Sequence, residues 1–189
     1  MARWEPDARL RLVRAAVELY AEQGYEATTV AQVAERAGLT KATFFRHFPD
    51  KREVLFAGQE QHATLLADGA AAAPDAASPL EAVAAALDHT TASFPPEQRD
   101  FGPRLRAIVG STDELRERAA FKRAHLIAAL TDALHRRGIP DPTATLAAEL
   151  GVEAFHRAYD RWSDGGGPSF GDLARAELQA LHAAATALH

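Results

Sequence analysis

The chain has 189 residues, a net charge of −5, 47% hydrophobic and 25% charged residues, and no Cys. This composition excludes a disordered chain, a disulfide framework, a cysteine nucleophile and a thiolate metal site. Alanine occurs 43 times and leucine 20 times, against 8 valines and 3 isoleucines, which favours helices and opposes a sheet.

Residues 1–6 carry charge and proline where a secretion signal has its apolar core, so the expected compartment is the cytoplasm. No stretch of ~18 apolar residues exists, so no membrane partner is expected. A first helix is expected over 7–23, with Leu10, Val13, Val17 and Tyr20 on one face and Gly24 after its end. Thr29 and Gln32 form a capping box for a helix over 30–37, stopped by Gly38. Thr40 caps a helix over 41–47, and Pro49 closes it. Asp50, with Glu53, is expected to cap a fourth helix running to about 68, and 69–78 reads as a loop or frayed end. Ser78-Pro79-Leu80-Glu81 opens a helix to about 94. Residues 95–103 connect it to a short helix over 104–110. A long helix follows 111–114 and ends at Gly138. Asp141-Pro142 opens another to about 162, three glycines interrupt the chain at 165–167, and a last helix fills 170–188. The fold class is all-α, with about nine helices.

Charge is unevenly spread. Residues 1–56 sum to +1 and residues 57–189 to −6. Arg36, Lys41, Arg46, Lys51 and Arg52 lie within 17 residues that hold one acid, Asp50. One anionic contact surface on an acidic protein fits this pattern. Two short helices joined through Gly38, with Phe44 and Phe48 turned inward and Lys41, Thr43 and Arg46 outward, form a helix-turn-helix. Arg36 and Arg52 read as solvated charges.

The stretch 37–51, AGLTKATFFRHFPDK, resembles the DNA-binding domain of the TetR family of bacterial transcriptional regulators. The resemblance implies a helix-turn-helix domain over 1–50 and a helical ligand-binding and dimerisation domain over 51–189. It implies that Thr29 and Thr40 present hydroxyls to phosphates, that Lys41, Thr43 and Arg46 lie near base edges, and that His47 and Lys51 hold the backbone. Phe45 stands where the family usually has Tyr, and Ala42 where Gly is common. The implied function is repression from a palindromic operator, relieved by a small-molecule effector. The implied partners are double-stranded DNA and a second copy of the chain.

In the remainder, Val152, Phe155, Tyr159 and Trp162 form one stripe, and Leu173, Leu178, Leu181, Ala185 and Leu188 a looser one. They suit a dimer seam or burial within the monomer. His62, Phe94, Phe101, Phe121, His125, Phe155 and Tyr159 are the candidate pocket residues. His62, His125 and His156 share no helical i, i+4 spacing, so no metal site and no cofactor are expected. Without a phosphate loop, nucleophile elbow or metal motif, the chain does not read as an enzyme. The rival readings are a helical protein-interaction module with an incidental basic patch, and an activator of the same family.

Overall fold

Helix-forming composition and well-placed caps carry through to the structure, a computed structural model that describes residues 8–165 and 167–188. Expectations for residues 1–7 and for Gly166 lie outside the described residues. Nine α-helices and no strand are present among the described residues: α1 (Ala8–Gln23), α2 (Val30–Arg36), α3 (Lys41–His47), α4 (Gln59–Ala71), α5 (Pro79–Thr91), α6 (Gly102–Val109), α7 (Asp113–Arg136), α8 (Thr143–Ser163) and α9 (Phe170–Thr186). Short 3-10 segments lie at Glu53–Phe56 and Pro96–Phe101.

The fourth helix differs from expectation. Asp50 does cap, accepting from the backbone N–H of Arg52 at 2.8 Å and of Glu53 at 3.1 Å, but the turn it caps is the 3-10 segment. The Glu53 carboxylate accepts from Arg118 at 2.5 Å. The true helix begins after Gly58 and runs through Gly69 to Ala71. Gly69 is a packing glycine. A Cβ there would sit 2.7 Å from the Ala86 backbone, so α4 and α5 approach as closely as they do only because it is absent.

The chain forms two compact units. The first takes residues up to Ala57 together with Arg104–Ala119; the second takes Gly58–Pro103 and everything from Ala120. The sequence suggests one cut at 50 and an uninterrupted body after it. Within the first unit, Leu115 is fully buried, Arg52 pairs with Glu114 at 3.1 Å, and Arg118 pairs with Glu53. Those contacts hold the start of α7 in this unit. They join residues some 60 positions apart, beyond the reach of local pattern.

In the first unit α1 packs on α2 and on the 3-10 turn, and α2 on α3. Its core is Leu12, Val17, Tyr20, Val33, Phe44, Phe48 and Val54. In the second, α4 packs on α5, α8 on α9, and α5 on both α8 and α9. Of the two apolar stripes, Val152, Phe155, Trp162, Leu173 and Leu178 are buried within this unit, Tyr159, Leu181 and Ala185 are half-buried, and Leu188 is exposed.

Candidate nucleic-acid interface

Local chemistry builds the helix-turn-helix. Thr29 Oγ accepts from the Gln32 N–H at 3.3 Å, and the Gln32 side chain accepts from the Thr29 N–H at 2.8 Å, completing the box. Gly38 takes φ +65°, the left-handed conformation that lets the chain reverse between α2 and α3. The Arg11 guanidinium donates to the Ala37 carbonyl at 2.5 Å and fills the space over Gly38. Thr40 Oγ accepts from the Thr43 N–H at 3.1 Å and starts α3. Phe44 and Phe48 bury one side of α3; Thr40, Lys41, Ala42, Phe45 and Arg46 lie exposed on the other, with Thr43 half-buried.

Of the five cations in this segment, three are already engaged. Arg36 makes a two-point pair with Glu22 at 3.0 and 2.8 Å. Arg52 pairs with Asp50 at 2.8 Å and with Glu114. These two are therefore ion-paired charges rather than merely solvated ones. Lys51 donates to the carbonyls of Tyr25 at 3.0 Å and Thr28 at 3.4 Å, and its ammonium lies 4.1 Å from the centre of the Tyr25 ring. Tyr20 completes the knot by donating to the Lys51 carbonyl at 2.9 Å. Burial pushes both tyrosine hydroxyls up, so they remain protonated donors. Lys51 thus fixes the α1–α2 turn, a role that sequence reasoning misses because its acceptors are 23 and 26 residues away.

That leaves Lys41 and Arg46, which have no ion pair among the described residues. Both stand on the outer face of α3. Lys41 leans over the Phe45 ring at 5.8 Å. Phe45 is 48% exposed and meets Phe44 edge-on at 5.6 Å. His47 is half-buried, and burial, then Arg46 and Arg9, hold its imidazole below the ordinary range. Its enclosed Nε2 has no partner. At neutral pH it offers a hydrogen bond and not a charge.

Comparison with known proteins reaches the same stretch. Residues 12–57 match the sequence profile of the bacterial regulatory proteins of the tetR family. This segment carries the N-terminal domain of that family. The chain is 54% identical over 46 residues to the HTH-type transcriptional regulator TcmR of Streptomyces glaucescens, a match that covers 24% of this chain and spans only 20% of TcmR. The solved TetR-family regulator PfmR of Thermus thermophilus is 26% identical, covers 90% of this chain and 96% of its own, and superposes with a TM-score of 0.51. The regulator FadR of Bacillus subtilis, solved with stearoyl-CoA, shares the fold at 18% identity and a TM-score of 0.60, covering 91% of this chain and 96% of its own.

The second unit brings together only some of the candidate pocket residues. His62 stacks on Phe94 at 4.8 Å and lies 6.0 Å from Phe155; Phe94 meets Tyr159 at 6.1 Å. Trp162 and Phe170 complete this aromatic cluster. Phe101, Phe121 and His125 stand outside it. Phe101 ends the 3-10 segment half-buried, Phe121 is 62% exposed, and exposed His125 meets Glu60 at 3.2 Å. Hydrophobicity alone groups them, but α7 turns Phe121 and His125 to solvent. Burial, then neighbouring His156, lowers His62 to about 4; burial, then Arg123, lowers His156 to about 4.

Proposed function

We propose that this protein is a sequence-specific DNA-binding transcriptional regulator that acts as a homodimer and represses from a palindromic operator until a small molecule binds its body. The observation that carries the reading is the outer face of α3. Lys41 and Arg46, the cations of the segment held by neither a carboxylate nor a backbone carbonyl among the described residues, flank Thr43 on a capped helix. A helix of this kind fits the major groove, where Arg pairs with guanine and a cation or hydroxyl meets phosphate. Thr29 and Thr40 stand at helix starts, exposed and suited to backbone phosphates. Lys51 supports this face through the turn it holds, and His47 and Phe45 border it.

Dimerisation draws its support from what α8 and α9 leave uncovered. Ala176, Ala180, Ala183, Ala184 and Ala187 are exposed along one side of α9, and Leu146 on α8 is 52% exposed. Small residues let two helices approach closely, and a twofold mate would present the same face. Selection of bound duplexes from a random pool tests the reading. The expected sites are palindromic, with half-site centres about one turn (~34 Å) apart or a multiple of it. Sites without a dyad, or no enrichment over bulk DNA, would contradict it. A reporter carrying the selected site distinguishes repression from activation.

A further inference from the structure

The second unit holds an open cleft of about 530 Å³ at the end of α5, the start of the 3-10 segment, the end of α8 and the start of α9. That volume falls within the range of small-molecule sites. One wall is aromatic. Trp162 and Phe170 lie parallel, 5.1 Å apart at 14°, and Phe94 meets both edge-on. The charged groups on the cleft are Asp88, Arg175 and Arg99. Two of them neutralise each other, since Arg175 Nε donates to the Asp88 carboxylate at 2.6 Å. Arg99 has no ion pair among the described residues, and its enclosed Nε has no hydrogen-bond partner. Arg99 also lines an adjoining recess of about 80 Å³ beside Arg161.

The Arg99 guanidinium lines the cleft without an ion pair among the described residues, and a planar guanidinium pairs a carboxylate through two N–H groups. The first turn of α9, capped by Ser169, borders the same space and already holds its own carboxylate, Asp172, on the Ser169 hydroxyl at 2.7 Å, so an incoming anion is left to Arg99. The parallel rings favour a flat apolar body. We propose that the cleft binds a small monoanion of the aromatic carboxylate class, its carboxylate on Arg99 and its body against Trp162 and Phe170. The proposal rests on the reading of the second unit as the effector domain, and it goes further by naming the site and the charge and shape of its ligand.

Calorimetric titration of the full chain with 2-naphthoate, and with its neutral isostere 2-naphthamide, tests the site. The expected result is saturable binding of the acid, at least about tenfold tighter than the amide, as one charge-assisted pair implies. Arg99→Gln should abolish that preference. Ala92→Trp places bulk on an exposed position of the cleft and should block both probes. Equal binding of acid and amide, no saturable binding of the acid, or unchanged binding in either variant would overturn the proposal. Operator affinity of the unliganded chain is measured separately. Naphthoate binding without duplex binding leaves the site standing and removes the regulatory reading; duplex binding without naphthoate binding does the reverse.

Discussion

In the first unit the α1–α2 turn is tied by specific polar contacts: the Lys51 ammonium on two carbonyls, Tyr20 on the Lys51 carbonyl, and Thr28 Oγ donating to the Gly24 carbonyl at 2.7 Å. In the second unit α4 and α5 meet because Gly69 and Ala86 offer little bulk, and Leu66 and Leu87 on these helices are fully buried. The first arrangement needs particular atoms at particular places. The second needs volume and apolarity, which many sequences supply. A surface that must meet DNA in one register belongs on the first kind of frame.

The largest expected effect breaks the body alone. Leu87 is fully buried, so Leu87→Ala should cost about 2–5 kcal/mol in denaturant unfolding. The bases preferred by the surviving folded protein should not change. A changed preference would show that the units are not as separable in function as their construction suggests.

Lys51 comes next and breaks the frame of the first unit. Lys51→Met should lose about 1–3 kcal/mol of stability, because the Tyr25 and Thr28 carbonyls lose a charged donor. Binding to every duplex should weaken alike, while the slope of log affinity against log salt stays put. A slope reduced by about one unit would mean that Lys51 holds a phosphate, as the family resemblance implies.

These two cases show what is legible in the sequence. Thr29, Gln32, Thr40 and Ser78 are readable as caps because a cap and its partner lie three residues apart. The inward Phe44 and Phe48 and the outward Lys41 and Arg46 follow from helical period. Lys51, Arg52 and Arg118 find their partners far along the chain, and no local pattern records that. The stripe of Val152, Phe155 and Trp162 is visible as a stripe, but periodicity says that a face is covered and not by what. Arg99 lies in a proline-rich connector without period, so nothing marks it.

A smaller effect concerns acid. His62 and His156 are held neutral, with folded values of about 4 against 6.5 for the free imidazole. The unfolded chain therefore takes up protons first. The stability due to their neutral burial is complete above pH 6.5 and is lost as pH falls from 6.5 toward 4. His62→Phe keeps the stack on Phe94 and should reduce the loss of unfolding free energy over that window by an amount on the order of 1–2 kcal/mol. An unaltered pH profile would show that His62 is well solvated. The smallest effect concerns the first unit. Phe45→Tyr should tighten binding to operator and scrambled duplex alike by roughly 0.5–1.5 kcal/mol per half-site, with no change in salt slope. A change confined to one base position would place the ring elsewhere.

The most direct measurement is the base preference of Arg46→Ala, set beside that of the wild-type chain in the same selection from a random duplex pool. Arg46 is exposed on α3 without an ion pair among the described residues, and its loss should leave the melting temperature unchanged. The expected result is relaxed preference at one symmetry-related pair of positions, worth about 1–3 kcal/mol per half-site, with the rest of the site intact. An equal loss on every sequence, with the selected site unchanged, would contradict the assignment of the outer face of α3 as the surface that reads DNA.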